Sequence, residues 1–254
     1  MADPMLRVSG LTLGYGGEPV LAGVDLSVAT GEFASLVGPS GSGKSSVLRA
    51  ITNLQKPEAG DIDLGIDSEH LGILFQDDAL LPWRTVLQNV ALGLLIRGTG
   101  KAAANERADT WLQRLGLEGL SDRFPRQLSG GQRKRVALAQ VLALQPRLLL
   151  MDEPFASLDA IVRRRITEDL LRWVERERLT VLMVTHDLEE ALSLSDTVHL
   201  LSRGPRAHVR ESYQVPIPRP RDLVEVRAHP AFTPLLRKLW DGLADEVEPR
   251  LVTA

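Results

Sequence analysis

The stretch Gly38-Pro39-Ser40-Gly41-Ser42-Gly43-Lys44-Ser45 decides the fold. It follows the apolar run Phe33–Val37 and precedes Val47-Leu48-Arg49-Ala50-Ile51, which is spaced as a helix. A glycine, four residues and then Gly-Lys-Ser, set between a strand and a helix, make a phosphate-binding loop. Its glycines let successive backbone N–H groups turn inward around phosphate oxygens. A helix beginning near Gly43 adds the positive end of its dipole. Lys44 reaches the outer phosphates, and Ser45 offers a hydroxyl to Mg2+. The loop implies nucleotide binding and leaves open what the nucleotide is used for.

Working outward, Val24, Leu26 and Val28 alternate with Asp25 and Ser27, a strand with one wet face. The beginning, Leu6–Tyr15 and Val20–Val28, reads as antiparallel strands leading into an α/β core. Arg147–Met151 and Thr180–Val184 are uninterrupted apolar runs, suited to a parallel sheet buried on both faces. Helices are expected over Ala102–Leu115, Gly130–Leu144 and Ala160–Arg176, with a last one over Phe232–Val247. Alternation of strand and helix implies right-handed βαβ units. Trp111 and Trp173 fall on apolar stripes and read as core residues. The Pro-rich Val215-Pro216-Ile217-Pro218-Arg219-Pro220 reads as a linker or an extended strap.

Bulk properties bound the reading. The chain has 254 residues, 25% of them charged, with a net charge of −3, which gives no electrostatic case for nucleic-acid binding. It contains no cysteine, so it has neither a disulfide framework nor a thiolate metal site. Met1-Ala2-Asp3-Pro4-Met5-Leu6-Arg7 lacks a basic patch followed by an apolar run, so no signal peptide is expected. No segment nears the roughly 18 apolar residues of a spanning helix. A soluble chain is expected, or one that meets a membrane only through a partner.

Three further stretches carry chemistry. Asp152-Glu153 ends a buried strand, where parallel sheets bind ligands. Asp152 suits Mg2+ through its water, and Glu153 suits polarisation of an attacking water. Taken alone, the pair is as often an ordinary acidic loop. Thr185-His186-Asp187 ends the next strand at the same edge. His186 there is more often structural, but beside a phosphate it can donate a hydrogen bond. Leu128-Ser129-Gly130-Gly131-Gln132 opens a helix and makes a second anion cradle. Either it is only a helix cap, or it serves a nucleotide held by another subunit.

Together and in this order, Gly38–Ser45, Gln76, Leu128–Gln132, Leu148–Glu153, Ser157-Leu158-Asp159 and His186 resemble the ATPase subunits of ABC transporters. The resemblance covers about residues 6–215. It implies a P-loop NTPase core with a parallel sheet, an N-terminal antiparallel β subdomain and an inserted helical subdomain at about 86–142. Residues 216–254 then form a C-terminal extension. It implies ATP and Mg2+ as ligands. It also implies a head-to-tail homodimer, each ATP lying between the P-loop of one subunit and the signature motif of the other. Tyr15 would stack on adenine, and Gly38 through Ser46 (Gly38, Pro39, Ser40, Gly41, Ser42, Gly43, Lys44, Ser45, Ser46) would hold the phosphates. Gln76 would contact Mg2+ or the attacking water and change position on nucleotide binding. Ser45 and Asp152 would serve the metal, and Glu153 and His186 the reaction. Ser129, Gly130 and Gly131, with Gln132, would meet the γ-phosphate in trans, and Asp159 would communicate across the dimer.

The block Phe75-Gln76-Asp77-Asp78-Ala79-Leu80-Leu81-Pro82-Trp83 resembles the nitrate/sulfonate/taurine importer branch, as does Ser202-Arg203-Gly204-Pro205. In ABC ATPases this region receives the coupling helix of the membrane subunit, and exposed Leu81, Pro82 and Trp83 suit an apolar anchor. The implied protein sits on the cytoplasmic face of the membrane, bound to transmembrane permease subunits and served indirectly by an extracytoplasmic solute-binding protein. A small organic anion is the implied cargo. Two departures stand out: Ser45-Ser46 follows the lysine where Thr-Thr or Ser-Thr is common, and the Asp61–Leu74 segment is short for the branch. The alternatives are a soluble ABC ATPase without a transport role, or an importer subunit for an unrelated solute.

Overall fold

The computed structural model describes residues 4–156 and 158–247. Ser157 of the Ser157-Leu158-Asp159 triplet therefore lies outside the described residues, as do Met1-Ala2-Asp3 and the last seven residues of the tail. An antiparallel sheet of β1 (Leu6–Leu13), β2 (Leu21–Val28) and β4 (Ala59–Leu64) has the order β2-β1-β4. The main sheet contains β3 (Phe33–Val37), β5 (Leu71–Leu74), β6 (Leu148–Asp152), β7 (Thr180–Val184), β8 (Thr197–Leu201) and β9 (Val209–Gln214). Its order is β5-β6-β7-β3-β8-β9, parallel except for the β8–β9 pair. Helices α1 (Lys44–Ile51), α2 (Val86–Ile96), α3 (Lys101–Arg114), α4 (Gly130–Leu142), α5 (Ala160–Glu177), α6 (Leu188–Leu194) and α7 (Phe232–Val247) cover it.

The two-residue period of the strands divides the core. Phe33, Leu149, Met151, Val181 and Met183 face one hydrophobic cluster, shared with α2, α3, α4 and α5. Ala34, Leu36, Leu148, Leu150, Leu182 and Val184 face the other, beneath α1 and the antiparallel sheet. Each such fully buried Val, Leu, Met or Phe side chain stabilises the fold by about 1.5–3 kcal/mol. On β2, Val24, Leu26 and Val28 are buried and Asp25 and Ser27 are exposed, as the alternation predicts. Trp111 is buried and Trp173 half-buried; their ring centroids lie 4.7 Å apart, with Arg114 over both.

Two boundaries differ from the sequence reading by two residues, and others, such as both ends of α3, by one. β1 stops at Leu13, not Tyr15, because its partners run out: β2 begins at Leu21, opposite Leu13, and β4 at Ala59, opposite Thr12. Helix α4 stops at Leu142, not Leu144, because Gln145 precedes Pro146 and is held out of the helical region at φ 51°.

The Pro-rich segment is a strap. Arg219 and Arg221 both bind the Asp196 carboxylate, which also accepts from the backbone N–H of Phe33 at 3.0 Å. Val215, Ile217, Val226, Phe232 and Leu239 then pack with Leu188, Leu192 and Leu200 in a third cluster. Among the described residues no helix is long and apolar enough to cross a membrane.

Candidate nucleotide site

Strands β3, β6 and β7 run parallel and adjacent, so their carboxyl ends share one edge of the sheet. The phosphate loop leaves β3 at this edge, Asp152 closes β6, and Thr185-His186 follows β7. Gly43 forms the N-cap of α1 at φ 91°, and a Cβ there would stand 2.8 Å from both Val20 and Leu21 side chains. A Cβ on Gly38 would stand 2.8 Å from the Leu201 carbonyl oxygen. Both positions exclude a side chain, and the loop backbone is left open toward a ligand.

Lys44 is buried, and its Nζ donates to the carbonyls of Gly38 at 2.9 Å and Pro39 at 2.8 Å. Burial lowers its pKa, against the pull of Glu153 and Asp152. Ser45 Oγ donates to Asp152 Oδ1 at 2.9 Å. Burial raises the Asp152 pKa, opposed by that hydrogen bond. The hydroxyl of Ser42 is buried in the loop with no hydrogen-bond partner among the described residues. A buried polar group with no protein partner calls for a water, an ion or a ligand oxygen. The glycine cradle, this hydroxyl and the adjacent Ser45–Asp152 oxygen pair fit a nucleotide phosphate with a hard divalent cation.

Glu153 has φ 43°, in the left-handed region, while its N–H is anchored to the Val184 carbonyl at 2.9 Å. A non-glycine residue held there is strained, and such strain gathers at functional sites. His186 Nδ1 lies 3.0 Å from Glu153 Oε2; the histidine side chain is 63% exposed and the carboxylate 21%. Next to it, Thr185 Oγ1 donates to Glu190 Oε2 at 2.6 Å, and burial raises the Glu190 pKa to about 7. Tyr15 is 58% exposed and its hydroxyl sits 3.0 Å from Ser46 Oγ, which places it over the start of α1. Gln76 follows β5 and is exposed. Pro39 is half-buried, and Ser40 and Gly41 are exposed on the rim of the loop.

The signature residues lie apart from this cluster. Ser129 and Gln132 form a reciprocal cap on α4, with Gln132 N–H donating to Ser129 Oγ at 3.2 Å and Ser129 N–H to Gln132 Oε1 at 2.9 Å. Ser129 and Gly130 are exposed. A Cβ on Gly131 would stand 2.6 Å from Val162 Cγ1 of α5, whereas one on Gly130 would meet only Arg133 Nη2 at 3.8 Å. Asp159 caps α5 by accepting from the N–H groups of Ile161 and Val162.

The Leu81–Thr85 turn is held from beneath by a residue the sequence reading passed over. Asn89 is fully buried in α2; its Oδ1 accepts from Leu81 N–H at 2.7 Å, and its amide donates to the Leu81, Arg84 and Thr85 carbonyls. The only signal was a polar residue among the apolar positions Val86, Val90 and Leu94. The turn presents Trp83 at 71% exposure. On one side lies a groove of about 630 Å3 lined by Leu87, Ala91, Leu95, Lys101 and Asn105, and on the other one of about 480 Å3 beside Pro82 and Phe124.

Comparison with known proteins agrees with this geometry. Residues 21–156 match the family model described as ABC transporter. The aliphatic sulfonates import ATP-binding protein of Corynebacterium glutamicum is 41% identical over 94% of this chain and 94% of its own. The nitrate import ATP-binding protein of Synechocystis is 42% identical over 84% of this chain, but the match spans only 33% of that longer protein. The taurine import ATP-binding protein of Yersinia pestis is 43% identical over 79% of this chain and 81% of its own. Among solved structures, a dimeric post-hydrolysis ATP-binding cassette bound to ADP and Pi superposes with a TM-score of 0.74 at 32% identity, covering 83% of this chain and 99% of that one. The fold is that of an ATP-binding cassette. The chain belongs to the ABC transporter family.

Proposed function

We propose that this chain is the ATP-hydrolysing subunit of an ABC importer, working as a homodimer on the cytoplasmic face of a membrane and bound to permease subunits. The observation that carries the reading is the gathering of Lys44, Ser45, Asp152, Glu153 and His186 at one sheet edge while the signature turn faces outward, unspent within its own subunit. On this reading residues 1–215 form the ATPase domain, with a helical subdomain at about 86–142, and 216–254 form an extension.

The loop N–H groups and Lys44 bind and orient the phosphates, and Tyr15 offers a face to the adenine. Ser45 and Asp152, with Gln76, would hold Mg2+, which would supply neutralisation of phosphate charge. Glu153 takes the proton from the attacking water at its carboxylate, and His186 Nδ1 orients that carboxylate. Ser129, Gly130, Gly131 and Gln132 close on the nucleotide of the second copy, excluding water, and Asp159 sits beside that interface. Closure is a population shift driven by phosphate contacts made only in the closed dimer. Trp83 and its flanking grooves receive an apolar helix of the permease.

The relatives named for nitrate, sulfonate and taurine import favour a small organic anion, sulfonate- or nitrate-like, as cargo, which an extracytoplasmic binding protein would deliver. The test is Glu153→Gln. The amide keeps the shape but is not basic, so turnover falls by about 10²–10⁴ while ATP binding survives. The variant should accumulate as a dimer in Mg·ATP on size-exclusion chromatography. Parental phosphate release removes Glu153 from the reaction, and an inactive ATP-bound monomer rejects the trans signature.

A further inference from the structure

Helix α4 turns an apolar face to the body of the protein, with Val136, Ala137 and Leu138 all buried, and Lys134 interrupts it. Its side chain is 2% exposed. The ammonium donates to the carbonyl oxygens of Phe75 at 3.2 Å and Gln76 at 3.1 Å, and lies 3.7 Å from Asp78 Oδ1. Arg133, on the same turn, places Nε 3.4 Å from Asp78 Oδ2. Burial lowers the lysine's pKa, and Asp78, then Asp77, oppose that. A buried ammonium is costly, and an apolar side chain of equal length would fill the space without that cost. The charge must therefore serve a connection.

One end of the connection is the backbone of Gln76. The other is the first turn of α4, whose cap is Ser129. Two hydrogen bonds and two ion pairs span these segments, which along the chain are separated by α2 and α3. We propose that Lys134 is a positioning residue that ties Gln76 to the signature turn Ser129–Gly131. This rests on the ATPase-dimer reading above. A shift of the Gln76 backbone pulls on Lys134 and Asp78 together, and α4 follows as a rigid rod.

The test uses the full chain carrying Glu153→Gln, with and without Lys134→Met. Nucleotide affinity of the monomer is measured with a fluorescent ATP analogue at low protein concentration. Dimer dissociation is measured by sedimentation in Mg·ATP. Monomer affinity should stay within twofold of the parent while dimer dissociation rises at least tenfold. Dimerisation within twofold of the parent overturns the proposal. So does a parallel loss of monomer affinity and melting temperature, which marks a packing residue. If Lys134→Met does not fold, Asp78→Asn carries the test, because Asp78 is partly exposed and Lys134 keeps its carbonyl partners. It should weaken dimerisation at least threefold at unchanged monomer affinity, and unchanged dimerisation overturns the tether. A Glu153→Gln protein that never dimerises instead rejects the underlying reading, before Lys134 enters.

Discussion

The phosphate loop and the signature turn both place glycine before a helix, and they differ in what demands it. Gly38 and Gly43 are crowded by their own chain: the Leu201 carbonyl at one, Val20 and Leu21 at the other. Lys44 is folded inward onto loop carbonyls. Gly131 resembles these, pressed against Val162, but Gly130 does not, since little of its own subunit lies near the missing side chain. A glycine that no neighbour requires, on an exposed helix start, points to a surface that approaches from outside. On the dimer reading proposed above, the first cradle belongs to one chain and the second is half of a site completed by another copy.

Lys44→Ala strikes the completed cradle, with an effect second only to that of Glu153→Gln. Removing a preorganised charge from the phosphate site should lower ATPase turnover by about 10²–10³. Steady-state phosphate release checks this, and near-parental turnover would detach the loop from the reaction.

Glu190 tests how tightly the same sheet edge is wired to the interior. Its carboxyl keeps its proton up to about pH 7 in the fold, against about 4.5 in the unfolded chain. The folded state therefore binds more protons between these values, and stability falls as pH climbs from 4.5 to 7. Glu190→Gln escapes that loss. It should be more stable than the parent by about 3 kcal/mol above pH 7 and equal to it below 4.5. Urea denaturation across pH reads the difference, and a gain independent of pH would refute the assignment.

The two signature glycines sharpen the comparison further. Gly131→Ala should cost about 1–3 kcal/mol through overpacking against Val162, and Val162→Ala should relieve it. Gly130→Ala should leave stability within about 0.5 kcal/mol yet prevent Mg·ATP dimerisation of the Glu153→Gln protein. Thermal melts paired with size-exclusion runs separate the two. Equal behaviour of both variants would break the distinction between an internal and an external constraint.

The smallest effect on the isolated protein belongs to Trp83. Its ring is already in solvent, so Trp83→Ala should leave stability within about 0.5 kcal/mol while weakening binding to permease-containing membranes. Unchanged membrane binding would return Trp83 to a local role in the groove beside α2.

What the sequence disclosed follows the range of the forces involved. The phosphate loop, the Asp152-Glu153 strand end and the Ser129–Gln132 cap are local patterns in which spacing alone determines geometry. Strands β3, β6 and β7 of the parallel sheet were legible as nearly unbroken apolar runs, whereas β5, with Gly72 within it, and β8, with His199, gave no such run. The end of β1 was not, because it depends on where β2 and β4 begin. Lys134 and Asn89 escaped for the same reason: most of their partners are backbone groups of a distant loop or a neighbouring turn, which leave no side-chain signature. Tyr15 was placed near the nucleotide by motif, but its contact with Ser46 needed the fold.

Glu153 carries one more consequence. At φ 43° its backbone occupies a region where asparagine rests more easily than glutamate, by about 1 kcal/mol. Chemistry and thermal endurance therefore favour different residues at the same position. A lineage released from the need to turn over ATP should drift toward asparagine there. In the laboratory Glu153→Asn should melt at a higher temperature than the parent as its phosphate release collapses.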